Sequence, residues 1–168
     1  RKGKMKNLRK KIEEKVLKIA IELAKRGEGA LFVIGKANYS KLLKQKFNKF
    51  SIFSKGADKI LRSLATIDGA VIIDEKGNII DYAAMIKDAK PFKGYGTRHA
   101  AGLTASKNGN ISILCSEEER KVKIFKNGRY IMQVDALEKN VEKNVYKISN
   151  FQIIHFQINS FSNKLIFK

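Results

Sequence analysis

Leu8, Ile12, Val16, Ile19 and Leu23 recur at spacings of four, four, three and four, with Lys, Arg and Glu between them. This is the stripe of an amphipathic helix, and Gly27 and Gly29 end it. The stripe carries neither Trp nor Phe, and Glu13, Glu14 and Glu22 lie along the helix, so it reads as packing on a domain and not as lying on a membrane. The apolar run 30–35, bounded by glycines, predicts a buried strand. Residues 40–47 have the make-up of a short helix with Leu42, Leu43 and Phe47 as its apolar contacts, whereas 50–53 fits no single state. A helix over 58–65, with Ile60, Leu61 and Leu64 on one side, runs directly into a strand over 67–73. The turn residues 74–78 and a returning strand over 79–84 complete a hairpin.

Pro91 is the single proline, and its polar segment ends in Gly94-Tyr95-Gly96, which marks a loop. Thr97 reads as the N-cap of a small-residue helix that ends near Asn108-Gly109. A third core strand over 111–115 runs into Ser116-Glu117-Glu118-Glu119. The segments 122–125 and 130–134 flank Asn127-Gly128, a strong hairpin signal. This alternation implies an α/β fold: one domain with a central mixed β-sheet flanked by helices. The chain divides into an N-terminal helix (1–29), a main domain (30–148) and a C-terminal extension (149–168). Residues 151–168 contain no Asp or Glu and read as an extra strand or an appended tail.

At 168 residues, 43% hydrophobic and 30% charged, the chain is sized and composed for a single folded domain. Its apolar runs fall far short of the roughly 18 residues that a membrane span needs. No signal-peptide pattern opens the chain, and a cytoplasmic location is expected. One cysteine, Cys115, excludes an intramolecular disulfide and a multi-thiolate metal site. Thirty-five Lys and Arg against sixteen Asp and Glu give a net charge of +19, a field that attracts nucleic acid, nucleotides or anionic membranes without choosing among them.

Three segments carry candidate chemistry. Asp68-Gly69-Ala70 places a carboxylate, an oxygen ligand suited to Mg²⁺ or Mn²⁺, before two residues small enough to let a ligand approach the backbone. The alternative is an Asp that only terminates the preceding helix. Gly94-Tyr95-Gly96-Thr97-Arg98-His99-Ala100 gathers free backbone N–H groups, a helix dipole, a guanidinium and an imidazole, and so predicts a phosphate site. No Walker lysine motif is present, which excludes a P-loop NTPase. Ser116-Glu117-Glu118 would complete a metal site with Asp68 if their strands are neighbours; otherwise its glutamates are ordinary surface residues.

Asp68-Gly69-Ala70, then Gly96-Thr97-Arg98-His99 followed by Ala100-Ala101-Gly102, then a strand ending in Ser116-Glu117-Glu118 with an Asn-Gly hairpin beyond, resembles the diadenylate cyclase domain family, which makes cyclic di-AMP from two ATP. The resemblance spans residues 30–134. It implies one ATP per chain with Mn²⁺ or Mg²⁺ as cofactor, and a face-to-face dimer in which each 3′-hydroxyl attacks the α-phosphorus of the opposite ATP. Asp68 would bind the metal and help activate the hydroxyl, aided by Glu118 and more weakly by Glu117. Gly69, Ala70, Gly96, Thr97, Arg98, His99 and Ser116 would contact ATP, with Arg98 and His99 also serving catalysis. Met85 would pack on adenine; the alternative is an ordinary core methionine. Two departures stand out: Ala100 replaces the second arginine of the family's Arg-His-Arg, and Glu119-Arg120 replaces its Thr-Gly. Two other functions compete: a nucleotide-binding sensor without turnover, which Ala100 favours, and a basic nucleic-acid-binding module. The latter lacks aromatics interleaved with Lys and Arg, so nucleic acid is not expected as the main partner.

Overall fold

A computed structural model describes residues 2–44, 46–91, 93–145 and 166–167. Helix α1 (Lys2–Lys25) leads into strand β1 (Ala30–Ile34), followed by the short strands β2 (Tyr39–Lys41) and β3 (Phe50–Ser51) and helix α2 (Ala57–Ala65). Strands β4 (Ala70–Ile73) and β5 (Asn78–Ile86), helix α3 (Thr97–Ala105) and strands β6 (Ile111–Ser116), β7 (Lys121–Lys126) and β8 (Arg129–Asp135) come next. A 3-10 turn (Val141–Asn144) and strand β9 (Ile166–Phe167) complete the described elements. The strands form one mixed sheet in the order β2-β5-β4-β1-β6-β7-β8-β9, with β3 also on β5. β1 runs parallel to β4 and antiparallel to β6. The fold is therefore α/β with a central mixed sheet and helices on both faces, as the alternation along the chain requires. Of the C-terminal stretch 149–168, only Ile166–Phe167 lies within the described residues, pairing parallel with β8.

Alternation along the central strands divides the core between the two faces. Phe32, Ile34, Val71, Ile73, Ile113, Cys115 and Ile124 meet the buried stripe of α1 and Leu61 of α2. Leu31, Val33, Ile72, Leu114 and Phe125 face the other way, toward Ala101, Leu103 and Ala105 of α3. The α1 stripe is wider than the spacing predicts, because Leu17, Ala20, Ile21 and Ala24 are buried beside Ile12, Val16, Ile19 and Leu23. Gly27, at φ +76°, ends α1: its N–H bonds to the Ala24 carbonyl at 2.9 Å and that of Glu28 to the Leu23 carbonyl at 3.0 Å, the paired bonds of a Schellman cap. Across the sheet, Gly102 lets α3 settle closely, since a Cβ there would lie 3.4 Å from Leu31 Cδ1 and 3.5 Å from the Phe125 ring.

Three local expectations need correction. Residues 40 and 41 of the stretch expected to be helical (40–47) belong to strand β2, paired with β5. Leu42 and Leu43 are exposed, while Phe47 does make an apolar contact, 5.4 Å between centroids from the ring of Tyr82. Tertiary partners override the local helical composition: the Tyr39 hydroxyl donates to buried Asp81 on β5 at 2.9 Å, and Lys41 Nζ lies 3.2 Å from the same carboxylate. Burial first, then the Asp81 bond and charge, push the Tyr39 phenol up to about 12. The strand expected from Ile67 begins at Ala70, which leaves Asp68 and Gly69 in the connection after α2. The N-cap of α3 is Gly96 and not Thr97, which takes the first helical position.

Candidate active site

The register of the sheet assembles the site. The Ala70–Ala84 pair sets Asp68 and Gly69 beside Met85 at the end of β5. The Ala30–Cys115 pair sets Ser116 level with Gly29, at the start of β1. Because β1 and β4 are parallel while β5 and β6 oppose them, the start of β4 and the ends of β5 and β6 share one edge of the sheet. The N-terminus of α3 lies over that edge, and a cleft of about 620 Å³ opens between them. Asp68, Gly69, Ala70, Met85, Gly96, Thr97, Arg98, His99, Ser116, Glu117 and Glu118 all line it. Segments separated by up to 50 residues in sequence thus converge on one surface.

Asp68, Glu117 and Glu118 are exposed at the cleft, but β1 lies between β4 and β6, so the strands beside them are not neighbours as the sequence reading required, and the carboxylates share only the cleft lining. Among the described residues, no group of three His, Cys, Asp or Glu side chains is arranged to hold a metal by itself. One or two carboxylates beside a phosphate site nevertheless match the way Mg²⁺ is held with a nucleotide, where substrate phosphates and waters supply the other ligands. The donors therefore fit a cation that arrives with its substrate. Met85 is 41% exposed, which excludes an ordinary core methionine and presents a thioether to the cleft. Gly69 has a reason other than ligand access: at φ +102°, a Cβ there would lie 2.6 Å from the carbonyl carbon of Ala83, so the missing side chain admits the neighbouring strand. The pairing of β4 and β5 is irregular at this point.

At the first turn of α3, Gly96 supplies no side-chain cap, and the first backbone bond runs from Ala100 N–H to the Gly96 carbonyl. The N–H groups of the preceding turn are left for an incoming acceptor at the positive end of the helix dipole. The Arg98 guanidinium crosses to the α1–β1 connection, where a Cβ on Gly29 would lie 2.0 Å from its Nη1. Glycine at 29 is what lets Arg98 occupy this place. His99 is partly buried, 5.5 Å between ring centroids from Tyr95. Burial, then the Lys123 ammonium, hold its imidazole below the ordinary histidine value despite the opposing charge of Glu119.

The Lys123 Nζ lies 3.0 Å from His99 Nε2 and 2.8 Å from Glu119 Oε1. An ammonium has only donors, so His99 Nε2 accepts and the ring proton sits on Nδ1. The Lys123 bond, opposed by burial, keeps Glu119 below the usual carboxylate range. Lys123, Glu119 and Tyr95 line the cleft as well; Tyr95 lies in the segment read as a phosphate site and Glu119 in a noted departure, both without an assigned role, whereas Lys123 was not singled out at all. No local signal marks Lys123: its side is set by the pairing with Leu114 on β6, which places it on the face that α3 covers.

The turn after β6 tolerates the Glu119-Arg120 departure. Arg120 adopts φ +52°, a left-handed conformation that costs a non-glycine residue about 1 kcal/mol. Its backbone bonds the Ser116 carbonyl at 3.0 Å, and its guanidinium bonds the Lys25 carbonyl at the end of α1 at 3.3 Å. Cys115 is fully buried, its thiol 3.2 Å from the Ala20 carbonyl, and burial pushes its pKa far up. It is a packing residue.

Residues 18–130 match the family model described as DisA bacterial checkpoint controller nucleotide-binding. A diadenylate cyclase of Methanocaldococcus jannaschii is 30% identical over 142 residues, covering 75% of this chain and 46% of that protein. One of Haloferax volcanii is 32% identical over 137 residues, covering 71% and 51%. The chain thus spans about half the length of these curated relatives. Among solved structures, a double cysteine mutant of DacA from Staphylococcus aureus superposes with a TM-score of 0.54 at 20% identity, covering 87% of this chain and 95% of that one. A Bacillus cereus protein described as a hypothetical membrane spanning protein gives a TM-score of 0.50 at 21% identity, covering 68% and 59%. Among the described residues of the present chain, no helix is long and apolar enough to cross a membrane. With the family model matching 113 of its 168 residues (18 to 130) and both relatives agreeing, this chain belongs to the DisA nucleotide-binding family of diadenylate cyclase domains.

Proposed function

We propose that the chain is a diadenylate cyclase, which condenses two ATP into cyclic di-AMP with release of two pyrophosphates. The observation that carries this reading is the convergence, at one sheet edge, of an exposed carboxylate (Asp68), an exposed apolar side chain (Met85) and an uncapped, cation-bearing helix N-terminus. Met85 stacks on adenine. Thr97, Arg98 and His99 hold the phosphates with the free N–H groups of α3, and Ser116 adds a hydroxyl contact. Gly96, where a Cβ would meet nothing within 4 Å, leaves the nucleotide room along the backbone, and Gly69 and Ala70 line the cleft beside it.

Each 3′-oxygen forms a bond to the α-phosphorus of the other ATP as the bond to the β-phosphate oxygen breaks and pyrophosphate leaves. Asp68 receives the hydroxyl proton. A divalent cation, Mn²⁺ or Mg²⁺, held by Asp68 and Glu118 with a weaker part for Glu117, neutralises charge on the phosphates when bound. The rest of the rate enhancement comes from positioning and fixed charge. One cleft holds one ATP, and the product is symmetric, so two chains meet face to face with their clefts opposed. Residues 30–148 form the catalytic domain, with the helix of 1–29 packed against it and 149–168 as an extension. ATP as substrate and an unpaired buried thiol suit the cytoplasm.

The test is incubation with ATP and Mn²⁺ or Mg²⁺, with mass spectrometry for cyclic di-AMP. Asp68→Asn is expected to lower the rate by about two orders of magnitude or more while leaving the melting transition in place. Saturable ATP binding without product under either metal would reverse the reading in favour of a nucleotide sensor.

A further inference from the structure

We propose that Lys123 is a ligand for the nucleotide phosphates, a cation brought to the cleft by strand β7 and held in place by Glu119. The inference rests on the nucleotide-binding reading of the cleft and adds a residue to it. Lys123 is 5% exposed, and lysine is almost never buried unless paired or put to use. Its partner Glu119 is itself 45% exposed; a pair needed only for surface charge balance would form outside the cleft, without desolvating the ammonium. The Nζ instead sits in the lining, against His99 at the first turn of α3. Two of its N–H groups serve Glu119 Oε1 and His99 Nε2, and the third has no acceptor among the described residues. An ammonium with one unused donor beside an uncapped helix N-terminus is built to take an anionic oxygen. Strand geometry fixes the position. Lys123 pairs with Leu114 on one side and Gln133 on the other, so the face that carries it is set by the middle of the sheet and not by a mobile loop.

The decisive measurement is calorimetric affinity for ATP and for adenosine, each with Mg²⁺, on the full chain and its Lys123→Met variant. Methionine keeps the length and apolar stem while removing the charge and the donors. ATP affinity is expected to fall about ten- to a hundredfold, the range for a hydrogen bond to a charged group, with adenosine affinity unchanged. Lys123→Gln retains a donor for Glu119 without the charge; it should show the same selective loss and decides the matter if the methionine variant does not fold. Equal ATP affinity in wild type and variants would overturn the proposal and leave the nucleotide reading intact. So would a parallel loss for ATP and adenosine, which would make Lys123 a structural residue. Absence of ATP binding by the wild-type chain would overturn both.

Discussion

A Cβ built on Gly69 collides with the backbone of Ala83, whereas one built on Gly96 meets nothing within 4 Å. These two glycines therefore behave differently on substitution. Gly69→Ala forces an L residue into φ +102° against β5, and is expected to cost about 1–3 kcal/mol in urea unfolding and to lower activity by moving Asp68. Gly96→Ala, at φ −75°, should cost less than about 1 kcal/mol, so a rise in KM for ATP there reports on ligand contact and not on folding. Equal destabilisation by both substitutions would refute this division. In sequence the small residues after Asp68 read as room for a ligand at the backbone; that the space at Gly69 goes instead to a neighbouring strand depends on the pairing of β4 and β5, which is irregular there. Lys123 was hidden for a similar reason. Lys121-Val122-Lys123-Ile124 reads as a half-exposed strand with its lysines in water, and only the pairing with β6 reveals that α3 covers the lysine side.

Among the elements, the β4–β5 hairpin sets Asp68, just before its first strand, beside Met85, near the end of its second, and its turn joins the two strands. Asp74 organises that turn: its Oδ1 accepts from the N–H groups of Lys76 at 2.9 Å and Asn78 at 2.8 Å, and its Oδ2 from the Asn78 amide at 3.1 Å. Burial alone would raise the Asp74 pKa, but these bonds and the charge of Lys49 outweigh it and hold the group below the usual carboxylate range. A carboxylate depressed in the folded state binds fewer protons there than in the unfolded chain, so its contribution is complete above the unfolded value and is lost as the pH falls through the folded one. Wild type should therefore lose stability below about pH 4 more steeply than Asp74→Asn, read from unfolding free energy against pH. Parallel acid limbs would remove Asp74 from the account. The elements most legible in sequence were those whose burial is written locally: the apolar strand cores, the α1 stripe and the Asn127-Gly128 hairpin. Strand β2 was not, because three residues at a sheet edge owe their state to Asp81 and β5 rather than to their own propensities.

For the whole molecule, the net charge of +19 and the proposed face-to-face dimer pull against each other. Two such chains repel at long range, and the proposed site draws further cations, Arg98 and Lys123, toward the meeting surface. ATP changes that balance locally: each bound triphosphate places negative charge where the two clefts face, so association should follow substrate binding and not precede it. Salt then acts in two directions. Screening over about 8–10 Å at 0.1–0.15 M weakens the hold on ATP and also weakens the repulsion between chains. At subsaturating ATP, added salt should lower turnover through KM. At saturating ATP and low protein, moderate salt should raise the rate per chain, and that rate should also climb with protein concentration until the dimer is populated. Sedimentation velocity with a non-cyclising ATP analogue and Mg²⁺ should show the monomer passing to a dimer over the same concentration range. A rate per chain that stays flat across that range, while sedimentation reports monomer throughout, would overturn the dimer, because both ATP molecules would then have to react within one chain, whose cleft of about 620 Å³ is lined among the described residues by one helix N-terminus, that of α3.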